Sequence, residues 1–264
     1  MDLKDLRHRY LGYGGFITTP ACWDDPVQHF LSCAPKNVGA IQRVLYVPDY
    51  EYRLSQRVKN FDQLRESALA LAKSGCDVIG QVGTNWSHAN GTTPDEIEAF
   101  CADISDEVGA RFIMAGLSIV WGLRAVGARR IAVANGYYRD DWRDGINRFL
   151  TEAGFEILSS GNVIDQGLVR DMDEMLAIEA ATKWDYPARL AVQMCHRAHL
   201  AAPDADAIVQ TGSGVRMLPY VEAVEGLCEK PLVSSDITLY WAMLREMKLG
   251  TPILEHGYLM RCCL

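Results

Sequence analysis

Two segments of this chain place glycine and a hydroxyl side chain at the same distance from the end of an apolar run. Asp77-Val-Ile-Gly-Gln-Val-Gly-Thr84 can be laid over Asp206-Ala-Ile-Val-Gln-Thr-Gly-Ser213. In each, apolar residues lead to a Gln, one residue intervenes, and Gly followed by Thr or Ser opens a loop toward a helix. Glycine lets the backbone approach a ligand closely, and the free amides at a helix start suit an anion. Ligands in open parallel sheets sit just beyond the carboxyl ends of the strands. The pair therefore predicts two loops facing each other across a cleft that binds a small anion. Two plainer readings stay open: strand, glycine and hydroxyl recur by chance in α/β proteins, and Thr84 and Ser213 simply cap the helices that follow.

The elements that must position these loops are legible as short Val- and Ile-rich runs alternating with amphipathic stretches, the pattern of a mostly parallel sheet covered on both faces. Strands are predicted at Gly15–Thr19, Ala40–Val47, Asp77–Val82, Arg111–Ala115, Arg130–Ala134, Phe155–Ser160, Ala207–Gln210 and Pro231–Ser234. Helices are predicted at Phe61–Ser74, Pro94–Val108, Arg139–Ala153, Tyr186–Leu200, Leu218–Leu227 and Ile237–Met247. Thr93 and Glu96 form a capping box with Pro94 at the first helical position, and Gly154 is a stop residue.

Composition narrows the classes. A chain of 264 residues, 49% hydrophobic and 23% charged, can bury a sizeable core and has no run near the roughly 20 apolar residues of a membrane span. Met1 to Tyr10 is rich in charge and lacks the apolar run of a secretion signal, so a cytoplasmic protein is expected. A net charge of −8 disfavours nucleic acid as a partner. The eight cysteines show no zinc-type pairing and no metal site is expected; most read as small buried apolar residues. Cys195 and His196 are adjacent on a predicted helix, about 100° apart around its axis, and with His199 read as structural rather than as a catalytic pair.

Four runs carry a family resemblance: Gly83-Thr-Asn-Trp-Ser-His-Ala-Asn-Gly91, the stretch from Gly122 to Tyr137, Ala207-Ile-Val-Gln-Thr-Gly-Ser-Gly214 and Pro231-Leu-Val-Ser-Ser235. They resemble the aspartate/glutamate racemase superfamily, most of all its arylmalonate decarboxylase branch and then its maleate cis-trans isomerase branch, in order from about Gly14 to Tyr258. The resemblance implies two pseudo-symmetric, doubly wound α/β halves with a ligand cleft between them, divided here as residues 1–116 plus 234–264 and residues 117–233. It also implies a small carboxylate substrate, no cofactor, and chemistry by cysteines on the two facing loops. By position, Gly83 and Thr84 match the decarboxylase's first loop, Asn85 replaces its serine, and Tyr137 matches a carboxylate-holding tyrosine. Gly212 stands where the second cysteine is expected, with Ser213 and Gly214 after it, so both thiols are missing. Arg216 resembles the isomerase instead and would hold a second carboxylate. Cys22 falls in a segment that lines the pocket in relatives, as do Tyr50, Tyr52 and Arg57, among which the alignment does not choose.

The groups retained, Thr84, Asn85, Tyr137 and Ser213, are hydroxyl and amide donors able to complement a carboxylate or a developing enolate. Tyr137 reads equally as a packed aromatic. With the loop thiols gone, His88 is nominated as general acid or base, Cys22 as a displaced thiol, and His256 as a residue able to reach the cleft. The expected activity is a cofactor-independent lyase that cleaves a small carboxylate or dicarboxylate through an enolate. Two alternatives stand beside it: an isomerase, racemase or hydrolase using His88 or Cys22, and a carboxylate-binding module without catalysis. Homo-oligomerisation is left open.

Overall fold

The computed structural model describes residues 10–136, 138–212, 214–249 and 252–264. The first four strands, β1 (Gly12–Thr18), β2 (Val38–Val44), β3 (Val78–Gln81) and β4 (Arg111–Met114), form one sheet in the order β2-β1-β3-β4. The next four, β5 (Arg130–Asn135), β6 (Glu156–Gly161), β7 (Ala207–Thr211) and β8 (Leu232–Ser234), form a second in the order β6-β5-β7-β8. Every pairing in both is parallel. The same strand order occurs twice, so β3 and β7, the strands of the aligned segments, hold equivalent positions inside their sheets. Both are wholly buried, as strands covered on two faces must be.

Twelve helices connect and cover the sheets: α1 (Pro26–Cys33), α2 (Leu54–Val58), α3 (Asp62–Lys73), α4 (Asn85–His88), α5 (Pro94–Val108), α6 (Ala115–Ala125), α7 (Asp140–Glu152), α8 (Met172–Thr182), α9 (Ala188–Ala201), α10 (Val221–Cys228), α11 (Ser235–Glu246) and α12 (Gly257–Cys262), among the described residues. The capping box at α5 is present in both directions: Glu96 N–H donates to Thr93 Oγ1 at 3.2 Å, and Thr93 N–H to Glu96 Oε2 at 2.8 Å. Gly154 follows α7 with φ +95°, as a stop residue should. The predicted helix Leu218–Leu227 is instead a tight three-residue turn, Leu218–Tyr220, followed by α10.

Each fourth strand runs straight into a buried helix, β4 into α6 and β8 into α11. These two helices pack on each other and join the sheets, with Ser118 Oγ 3.1 Å from Thr238 Oγ1. Helix α11 also packs on β3 and β4, so the C-terminal segment lies against the first sheet. Gly122 lets α6 come this close: a Cβ there would lie 2.6 Å from Thr238 Cγ2 and 3.3 Å from Val233 Cγ1. Gly122→Val is expected to cost about 2 kcal/mol by overpacking and to lower the thermal midpoint by roughly 4–8 °C. An unchanged melting curve would contradict this account of the seam. No helix among the described residues is long and apolar enough to cross a membrane.

Candidate active site

The two aligned loops have one architecture down to their side-chain bracing. Gly83 has φ +104° and Gly212 φ +106°, a left-handed region that strongly favours glycine. In the first loop the Gln81 side-chain amide donates to the carbonyls of Val82 and Gly83; in the second, Gln210 donates to those of Thr211 and Gly212. Both glutamines are fully buried. Holding the carbonyls back in this way fixes each loop's path at the strand end.

The loops meet at one pocket. Gly83 and Asn85 enter it from the first loop, Gly212, Gly214 and Val215 from the second, and Gly136 from the turn after β5. Thr19 and Cys22 come from the turn after β1, Tyr52 and Arg57 from the stretch after β2, Trp142 from α7, and Trp184 and Tyr186 from the link between α8 and α9. Among the described lining residues, Arg57 alone carries a formal charge at neutral pH. It is 3% exposed, its Nη1 donates to the Tyr52 carbonyl at 2.5 Å, and its guanidinium lies 5.0 Å from the Trp142 ring centroid and 5.5 Å from that of Tyr50. A planar cation held between aromatic faces beside two glycine turns is suited to a carboxylate.

The wall around this cation is aromatic. Tyr52 and Trp184 approach to 4.8 Å between ring centroids, and Trp184 stacks on Trp142 at 5.9 Å. Tyr52 (φ +62°) and Trp184 (φ +71°) both have left-handed backbone, which costs bulky residues of the order of 1–3 kcal/mol each. Their ring contact, and the hydrogen bond from Tyr52 Oη to the Ala21 carbonyl at 2.5 Å, hold these conformations in place.

Cys22 lies in this wall with its thiol directed to the Thr19 carbonyl, 3.6 Å away. Burial, and then the nearby Asp24 carboxyl, push its pKa up to about 12, so the group stays a thiol: a proton donor, not a resting thiolate.

His88 is placed behind the pocket rather than in it. It is 2% exposed, its ring packs on the α7 backbone at Gly145, and its Nε2 lies 3.1 Å from Asn85 Oδ1. Burial, with the charges of Arg57 and Arg148, lowers its pKa to about 3. Neutral at working pH, it donates to Asn85 Oδ1 and leaves the Asn85 amide nitrogen for the pocket. It is therefore a positioning residue, and the role of acid or base at the substrate does not fit its location. A buried neutral histidine binds no proton until about pH 3, whereas the unfolded chain binds one below about pH 6.5. Its contribution to stability is present above pH 6.5 and is lost as pH falls from there toward 3. His88→Gln should remove about 2–3 kcal/mol of the loss in unfolding free energy between pH 7 and about 4.5, measured by urea denaturation. Equal losses in the two proteins would refute a neutral His88.

Arg216 is also not where a second carboxylate could use it. Its Nε is 2.5 Å from Asp25 Oδ1, its Nη1 is 3.3 Å from Asp185 Oδ1, its Nη2 is 3.7 Å from Asp24 Oδ1, and it donates to the Trp23 carbonyl. Its charge is met inside the protein, where it ties the turn after β1 to the link before α9. Thr84 does not cap α4; its hydroxyl is fully buried with no hydrogen-bond partner among the described residues, one residue behind the pocket wall. Tyr137 and Ser213 lie outside the described residues. Cys195 is buried in the core, where burial raises its pKa, and His256 begins α12 away from the pocket lining.

Sequence reasoning did not find Trp142, Trp184, Tyr186, Thr19 or Gly136. Trp142 reads as an ordinary apolar position of an amphipathic helix. Trp184 and Tyr186 follow α8, which has almost no amphipathic asymmetry and so leaves no periodic trace. The one available signal was the pair of aromatics in Trp184-Asp-Tyr186-Pro187; the helix predicted to start at Tyr186 begins at Ala188, which leaves Tyr186 in the link.

These features define a parallel α/β protein with two like four-stranded sheets and a pocket where their glycine loops meet. The arylmalonate decarboxylase family model matches residues 56–260, and the chain belongs to that family, within the aspartate/glutamate racemase superfamily. It is 29% identical over 191 residues to the arylmalonate decarboxylase of Bordetella bronchiseptica, spanning 71% of this chain and 73% of that one. A crystal structure of arylmalonate decarboxylase superposes with a TM-score of 0.72 at 22% identity, covering 94% of this chain and 98% of that one. A variant of the maleate isomerase Iso from Pseudomonas putida S16, solved with maleate, shares the fold with a TM-score of 0.74 at 18% identity, covering 95% of this chain and 97% of that one. The chain is thus homologous to a lyase and shares its fold with an isomerase.

Proposed function

We propose that this protein is a cofactor-independent decarboxylase of a small malonate-type acid bearing an apolar, preferably aromatic, substituent. The observation that carries the reading is the meeting of both glycine turns with Arg57 at one pocket that has an aromatic wall. One carboxylate is held by Arg57, the Asn85 amide and the backbone at Gly83 and Gly212. The aryl substituent lies against Trp142 and Trp184, and the departing carboxylate faces the uncharged remainder of the lining, where a charge is poorly solvated and neutral carbon dioxide is not. Cleavage moves the carbon–carbon bond pair into an enolate whose oxygens the same donors stabilise, and Thr84, whose hydroxyl has no hydrogen-bond partner among the described residues, is a further donor. The proton then reaches the α-carbon from the Cys22 thiol. With Arg216 engaged by three carboxylates, a substrate that needs two separate cationic anchors, as an extended dicarboxylate would, is disfavoured.

The test is bicarbonate release by the purified protein from a panel of α-aryl and α-alkyl malonates. Turnover greatest with aryl substituents supports the reading, and no release from any of them defeats it.

A further inference from the structure

We propose that Asp24 is a proton-relay residue of this site: lodged behind Gly83, its carboxyl returns to Cys22 the proton that this thiol gives to the enolate. This rests on the decarboxylase reading above.

A second, smaller cavity adjoins the pocket, with Gly83 in the wall of both. Asp24, Arg216, Ser235, Asp236 and Tyr240 line it. Most of the polar atoms here are spoken for. Asp236 accepts from the amides of Met217 and Leu218 at 2.8 and 3.1 Å and from the Ser234 hydroxyl at 2.6 Å, and Arg216 is held as described. Two are not. Asp24 Oδ2, on a side chain only 7% exposed, and Ser235 Oγ are buried with no hydrogen-bond partner among the described residues. An orphaned oxygen in a polar cavity is costly unless water or a proton satisfies it, and a protonated carboxyl with a water beside it meets that need.

The surroundings set the proton's affinity. Asp24 follows Cys22 by two residues on the same turn, across Gly83 from it; the groups acting on its carboxyl are Arg216 from the second loop, Asp25 on the same turn and Asp236 from α11, and Tyr240 of α11 shares the cavity wall. Burial first, and then Asp25 and Asp236, disfavour the carboxylate, while Arg216 favours it; the balance holds the carboxyl up at about 7. A thiolate at Cys22, of pKa about 12, would take a proton from such a group readily. The sequence of steps balances: the S–H bond of Cys22 breaks as the α-carbon–hydrogen bond forms, the thiolate takes the Asp24 proton, and the carboxylate is reprotonated from solvent. One proton is consumed for each carbon dioxide released.

The experiment pairs pH–rate profiles with infrared titration of the complete chain. In the wild type, kcat should fall along one limb above about pH 7; Asp24→Asn should lose that limb and about 10²-fold in kcat, and Asp24→Glu should regain it. Asp25→Asn, which also removes a partner of Arg216, should keep the limb. A limb that persists in Asp24→Asn overturns the relay. Infrared difference spectra between about pH 6 and pH 8 need no turnover and no folded variant: the wild type should lose a protonated-carboxyl band. Failure of any such band to titrate overturns the Asp24 assignment even if decarboxylation is observed. A band that titrates in a protein releasing no bicarbonate from any malonate overturns the reaction, and the relay with it, by a separate route.

Discussion

Arg57→Met should weaken binding of an aryl-substituted malonate by about 100-fold or more, the cost of leaving a buried carboxylate without its charged partner, roughly 3 kcal/mol. The large effect follows from position: Arg57 is 3% exposed and is the formally charged residue among those described as lining the pocket. Met keeps most of the stem's volume against Tyr50 and Trp142, so lost packing contributes little. Calorimetric titration checks it, and the effect should appear in both Kd and kcat/KM. Binding within a few-fold of wild type would move the carboxylate site away from Arg57.

Cys22→Ala should lower kcat by about 10²- to 10³-fold, the usual contribution of a placed proton donor, with little change in KM. With an α-methyl-α-aryl malonate the residual product should also lose its handedness, because water then protonates the enolate without a fixed direction. The same thiol should be slow to alkylate: with a pKa of about 12 it holds very little thiolate at neutral pH, whereas Cys262 is exposed and should label first. Rapid labelling of Cys22, or a Cys22→Ala enzyme of full rate and stereochemistry, would remove it from the mechanism.

Much of the scaffold could be read in the sequence because its parallel strands are short, doubly buried apolar runs, and because Thr93, Pro94, Glu96 and Gly154 have side-chain or backbone requirements that act locally. The repeated Gln-X-Gly was informative for a similar reason: it encodes a brace and a left-handed turn, both local, and the two copies have the same geometry. Helix α6 was not legible. It is buried nearly all round at the seam, so its apolar residues do not fall on one face.

The site divides along the same line. Gly83, Asn85, Gly212, Gly214 and Cys22 are in the pocket, as their places in the two loops and the turn after β1 suggested. His88 was chosen as a titratable ring close to the first loop and Arg216 for its resemblance to an isomerase arginine, and neither ground says which way a side chain points. Burial against Gly145 turns one into a support for Asn85, and three carboxylates occupy the other. Arg57 was one of three residues, with Tyr50 and Tyr52, among which the resemblance did not choose; the folding of that stretch over Trp142 and Tyr50 makes it the pocket's cation.

The most direct test is a crystal structure of the chain with a saturating, non-cleavable aryl-substituted acid such as an arylacetate. The carboxylate is expected within hydrogen-bond distance of the Arg57 guanidinium and the backbone at Gly83 and Gly212, with its ring against Trp142 and Trp184. An acid bound elsewhere, with the space between the two glycine turns left to solvent, would contradict the account.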